Sequence, residues 1–87
     1  LAVDLNGVQE TFADTEAYRW LQRHAYEYGF VLRYPEGKEE ITGIRFEPWH
    51  FRYVGKEHAR KMRLLNLCLE EYISYCSLQK QHIRILE

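Results

Sequence analysis

Glu47 and His50 are the only carboxylate and imidazole in the aromatic run Phe46-Glu47-Pro48-Trp49-His50-Phe51-Arg52-Tyr53. Both are costly to bury without partners, so their place in an apolar run asks for a reason. A Glu can take a proton from water, and a His can ligate a metal ion. Their spacing is half of the helical His-Glu-x-x-His arrangement, but the first His is absent and Pro48 would break a helix interior. Pro48 also biases Glu47 towards extended backbone. In a regular strand, residues three apart point to opposite faces. The pair can therefore share a site only if the chain bends near Pro48.

A metal needs further ligands. The best remaining candidate is Asp4, a carboxylate inside the apolar run Leu1-Ala2-Val3-Asp4-Leu5. Its plainer use is that of a strand-end Asp bonding neighbouring backbone amides. His24 reads as packing or capping on a helix. His58 stands near a helix start, exposed, and His82 has no apolar context. None of these three is assigned a role.

The elements that must position these residues follow from periodicity. Leu1 to Leu5 reads as a strand followed by an Asn6-Gly7 turn. Thr11-Phe12-Ala13-Asp14 resembles a capping signal, with Asp in place of the usual Glu. Ala17, Trp20, Leu21, Ala25 and Tyr28 recur at helical spacing and predict an amphipathic helix over 15–28, with Gly29 as its left-handed cap. Phe30 to Tyr34 is a short strand, Pro35-Glu36-Gly37 a turn, and Lys38 to Gly43 a polar loop. Ile44 to Val54 is a long strand-like run interrupted by Pro48. Lys56 to Leu65 is a helix ended by Asn66, and Leu69 to Tyr75 a second short one. The tail from Ser77 is mixed in character, helical or frayed. This order predicts an α+β fold with a small antiparallel sheet and flanking helices.

Composition narrows the function classes. Eighty-seven residues allow one domain, which at this size buries roughly 60% of its unfolded surface. Twelve Lys and Arg against thirteen Asp and Glu leave a net charge of −1, which argues against nucleic acid as a partner. No apolar run approaches the roughly 18 residues of a membrane span, so no transmembrane segment is expected. Ten of the thirteen aromatic residues lie between Tyr18 and Tyr53, which gives either a core built from rings or a ring-walled cleft. Cys68 and Cys76 are eight apart, about 12 Å of rise on a helix, too far for a disulfide. The opening Leu1-Ala2-Val3-Asp4-Leu5 reads as the inside of a strand, so the sequence is expected to begin part-way through a domain.

Several blocks together resemble a known family. Ala2-Val3-Asp4 is similar to the end of the Ser-x-His-x-x-Gly-x-Ala-x-Asp motif of VanY-like D-alanyl-D-alanine carboxypeptidases, zinc peptidases of the LAS group. Tyr18-Arg19-Trp20-Leu21, Tyr28 to Pro35, Glu36 to Gly43 and Leu69-Glu70-Glu71-Tyr72-Ile73 resemble further VanY-type blocks, and Glu47-Pro48-Trp49-His50-Phe51-Arg52-Tyr53-Val54-Gly55 is the most specific. The resemblance covers residues 1–73. Asn66 stands where the family usually has Gly.

The resemblance implies a hedgehog/DD-peptidase-like fold truncated at the N-terminus, with a partial D,D-carboxypeptidase domain over 1–76 and a tail over 77–87. It implies a Zn2+ cofactor with Asp4 and His50 as ligands and Glu47 as the catalytic base; the first-motif His would fall before Leu1. The implied substrate is the terminal D-alanine of a peptidoglycan stem peptide, on the extracytoplasmic, cell-wall side of the membrane. Arg33, Arg45 and Arg52 are candidates for the substrate carboxylate, with no choice among them, so the substrate-binding residues stay unknown. Two alternatives stand beside this: an inactive or truncated copy serving as a cell-wall-binding or structural module, and an L,D-carboxypeptidase or D,D-dipeptidase of the same group.

Overall fold

The computed structural model describes residues 1–4 and 10–86; Leu5, the Asn6-Gly7 turn and the side chain of His82 lie outside the described residues. The elements are β1 (Ala2–Asp4), a 3-10 turn (Glu10–Asp14), α1 (Glu16–His24), a second 3-10 turn (Ala25–Tyr28), β2 (Phe30–Leu32), α2 (Glu39–Thr42), β3 (His50–Tyr53), α3 (Lys56–Leu65) and α4 (Leu69–Leu86). The three strands form one antiparallel sheet in the order β1-β3-β2. This is the small antiparallel sheet with flanking helices that the pattern predicts.

Strand alternation divides β3 between two environments. Phe51 lies opposite Val3 on one side and Leu32 on the other, and enters a core of Phe12, Tyr18, Ala25 and Trp49. His50 and Arg52 occupy the opposite face, beside Asp4 and Ala2 of β1. The buried aromatics are thus mainly core, and the sheet's second face is left for chemistry.

The long strand expected over Ile44–Val54 shortens to His50–Tyr53. Pro48 has no amide to donate to a ladder. Instead the Glu47 carbonyl accepts from the His50 amide at 3.2 Å, closing a four-residue turn with Pro48 at its second position. Other boundaries also shift. Thr11 does not cap α1; Thr15 does, its hydroxyl accepting from the Tyr18 amide at 3.1 Å and donating to the Phe12 carbonyl at 2.7 Å. Trp20 and Tyr28 do not lie on the buried stripe, being 46% and 58% exposed. The expected Leu21 and Ala25 do face the core, joined by Tyr18, while Trp20 falls on the other side of α1; the 3-10 turn after His24 breaks the α-helical spacing before Tyr28. The polar loop at 38–43 holds one helical turn, α2, closed by Gly43 in the left-handed conformation. The helix expected over Leu69–Tyr75 runs on to Leu86, so the tail takes the helical of its two readings. Its start resembles half a capping box, with the Cys68 amide donating to the Glu71 carboxylate at 2.9 Å. Cys68 and Cys76 are free thiols.

Two cap expectations hold. Asn66 ends α3 at φ 53°, a conformation Asn tolerates better than most residues. Gly29 sits at φ 89°, and its carbonyl accepts from the amides of both Val54 and Gly55. A Cβ there would lie 2.7 Å from Tyr53 Cε1 and 3.1 Å from the Gly55 carbonyl carbon. Gly29→Ala should therefore destabilise the fold by about 1–3 kcal/mol from backbone strain alone. A urea unfolding midpoint equal to that of the parent would contradict this.

Candidate functional site

The turn at 47–50 supplies the bend that Glu47 and His50 require. Glu47 Oε1 lies 3.2 Å from His50 Nδ1, so the two side chains share one site. β1 brings the third residue: Asp4 is the register partner of His50, and its Oδ1 lies 3.7 Å from the same Nδ1. Glu47 and His50 are about one-quarter exposed, whereas Asp4 is half-exposed. Both carboxylates singled out in the sequence thus lie within 4 Å of one imidazole nitrogen.

The two carboxylates relate to that nitrogen differently. Glu47 is within hydrogen-bond reach of it, and Asp4 is beyond it. A tetrahedral zinc at ordinary bond lengths sets a nitrogen and an oxygen ligand about 3.4 Å apart. The Asp4–His50 and Glu47–His50 spacings both lie near that edge, and carboxylate and imidazole are both ordinary zinc donors. Asp4 and His50 therefore fit zinc as two of its ligands. Among the described residues no group of three or more His, Cys, Asp and Glu is placed to hold a metal ion.

Tyr34 and Arg33 complete the surroundings, and sequence reasoning did not mark Tyr34. Its ring meets the His50 imidazole edge-on at 5.3 Å and 87°, and its carbonyl accepts from the Glu47 amide at 3.0 Å. The Arg33 amide donates to the His50 carbonyl at 2.9 Å. The Arg33 guanidinium forms a two-pronged pair with Glu70 at the start of α4, both contacts at 2.9 Å. Hydrogen bonding from Arg33 holds the Glu70 carboxyl below its usual range, and the same bond raises Arg33 further above its own, so the pair stays ionised at neutral pH. The signal for this cluster is long-range: Arg33 and Glu70 are 37 positions apart, beyond any local periodicity.

The three arginines raised as carboxylate contacts now differ. Arg33 is engaged by Glu70, and Arg45 pairs with Glu10. Arg52 shares the face of His50 and has no ion-pair partner among the described residues.

Known proteins resemble this chain in sequence and in fold. The model of the VanY family, D-alanyl-D-alanine carboxypeptidase, matches residues 1–56. A D-alanyl-D-alanine carboxypeptidase of Enterococcus faecalis (strain ATCC 700802 / V583) is 53% identical over 76 residues, covering 85% of this chain and 28% of that protein. The solved LD-carboxypeptidase LdcB superposes with a TM-score of 0.79 at 46% identity, covering 85% of this chain and 37% of that one. The D,D-pentapeptidase VanY of a VanB-type vancomycin resistance cassette, solved as a variant in complex with Zn(II), gives 0.71 at 51% identity over 84% and 41%. The fold is the small α+β fold of these solved carboxypeptidase relatives. The chain belongs to the VanY family of D-alanyl-D-alanine carboxypeptidases. It spans under half the length of each of these relatives.

Proposed function

We propose that the protein acts as a zinc-dependent D-alanyl-D-alanine carboxypeptidase that removes the terminal D-alanine from peptidoglycan stem peptides. The single observation that carries this is the convergence of Glu47 Oε1 and Asp4 Oδ1 on His50 Nδ1. Asp4 and His50 would hold the metal as two of its ligands. When bound, zinc lowers the pKa of a water molecule and polarises a carbonyl oxygen.

The chain's own residues supply the rest. Glu47 accepts the proton of the attacking water as its oxygen bonds to the scissile carbonyl carbon. The same carboxyl then gives that proton to the departing nitrogen as the C–N bond breaks, which releases D-alanine and leaves Glu47 ionised. The Glu47 amide is tied to Tyr34, so the carboxylate works from a fixed backbone. Arg52, on the same face as His50, is available for the substrate's terminal carboxylate.

Such a substrate places the protein on the cell-wall side of the membrane; no helix among the described residues is long and apolar enough to cross one. D-alanine release from a pentapeptide by the full-length gene product should disappear with a chelator and return with zinc. Activity that survives chelation would sink the metal mechanism. No release under any condition, with no zinc bound, would favour a non-catalytic wall-binding module. The likeness to LdcB keeps L,D-cleavage as a second reading, and a tetrapeptide assayed in parallel separates the two.

A further inference from the structure

We infer that Arg33 and Glu70 are positioning residues that fix Glu47 and His50 through Tyr34. This rests on the proposed function. The two-pronged pair fixes the plane of the Arg33 guanidinium, since both nitrogens are held at 2.9 Å by the two Glu70 oxygens. That guanidinium lies over the Tyr34 ring, 4.5 Å from its centroid. The Tyr34 ring in turn stands edge-on to the His50 imidazole at 5.3 Å.

A second route runs through the backbone. The amide of Arg33 holds the carbonyl of His50, and the carbonyl of Tyr34 holds the amide of Glu47. Two adjacent residues thus grip both members of the site, and α4 grips the first of the two. Both charges of the Arg33–Glu70 pair are mostly covered, 19% and 31% exposed, so solvent weakens the tie less than at an open surface.

The bland alternative is that the pair only anchors α4. The structure provides its own control. Lys38 pairs with Glu71 at 2.9 Å and tethers the same helix start, and Lys38 is not stacked on Tyr34 or bonded to Glu47 or His50. A merely structural role would make the two tethers equivalent; a positioning role separates them.

The test uses the full-length gene product and a pentapeptide ending in D-Ala-D-Ala, with Glu70→Gln and Arg33→Lys compared with Lys38→Met and Glu47→Gln. Glu70→Gln and Arg33→Lys should lower kcat roughly tenfold at unchanged KM, because small misplacements of catalytic groups are expensive. Both should also lose zinc to a competing chelator severalfold faster, while Lys38→Met keeps the parental kcat and zinc retention. If Glu70→Gln does not fold, Arg33→Lys decides, since it keeps the charge and loses the fork and the flat stacking. Equal behaviour of Arg33→Lys and Lys38→Met overturns the positioning role. Parental activity in Glu47→Gln overturns the proposed function, and this inference with it.

Discussion

Glu47→Gln should lower kcat for D-alanine release by about 10²–10⁴-fold, the range a general acid–base group contributes. The substitution keeps the shape of the side chain and removes the proton acceptor. Its amide oxygen can still face His50 Nδ1, and the backbone bond from residue 47 to the Tyr34 carbonyl does not involve the side chain. Zinc content, the thermal unfolding midpoint and circular dichroism should match the parent. KM should stay within about a factor of two, since the carboxylate is used in the transition state rather than in binding. A variant that is correctly folded, zinc-loaded and fully active would show that another group handles the proton.

His50→Ala should abolish zinc binding rather than weaken it modestly. Outer partners that only orient a metal ligand cost about 10–100-fold in affinity when removed, and loss of a direct ligand should exceed that. The fold should survive, because His50 is partly exposed on the face opposite the core and its strand pairing uses the main chain. Asp4→Asn, which removes the charge and keeps the shape, should act in the same direction. Zinc measured in the purified variants by mass spectrometry under non-denaturing conditions checks both. Parental zinc content in His50→Ala would remove that residue from the metal site.

The sequence carried the site's residue types more clearly than its assembly. Glu47 and His50 stand out as charged groups among rings, and strand alternation by itself requires the bend at Pro48. Asp4 stood out as a carboxylate in an apolar run, yet its contact with His50 exists only because β1 pairs with β3 in one register. Helix α3 was legible to its ends, since Ala59 and Met62 are spaced for burial and Asn66 can take the left-handed cap. α1 was harder: Trp20 has the hydrophobicity of a core residue, but it lies two positions from the buried Tyr18, on the other side of the helix. Tyr34 was invisible as a site residue. What recruits it is the Arg33–Glu70 pair, which joins a strand end to a helix start across 37 positions and leaves no periodic trace.

The central claim is that Asp4, Glu47 and His50 form the part of a zinc peptidase centre carried by this chain. The most direct measurement is anomalous diffraction at the zinc edge from crystals of the full-length gene product. The account predicts a zinc peak about 2.0–2.2 Å from both the Asp4 carboxylate and His50 Nδ1, with Glu47 beside it. A zinc peak bonded to other residues, with Asp4 and His50 left without metal, would contradict it.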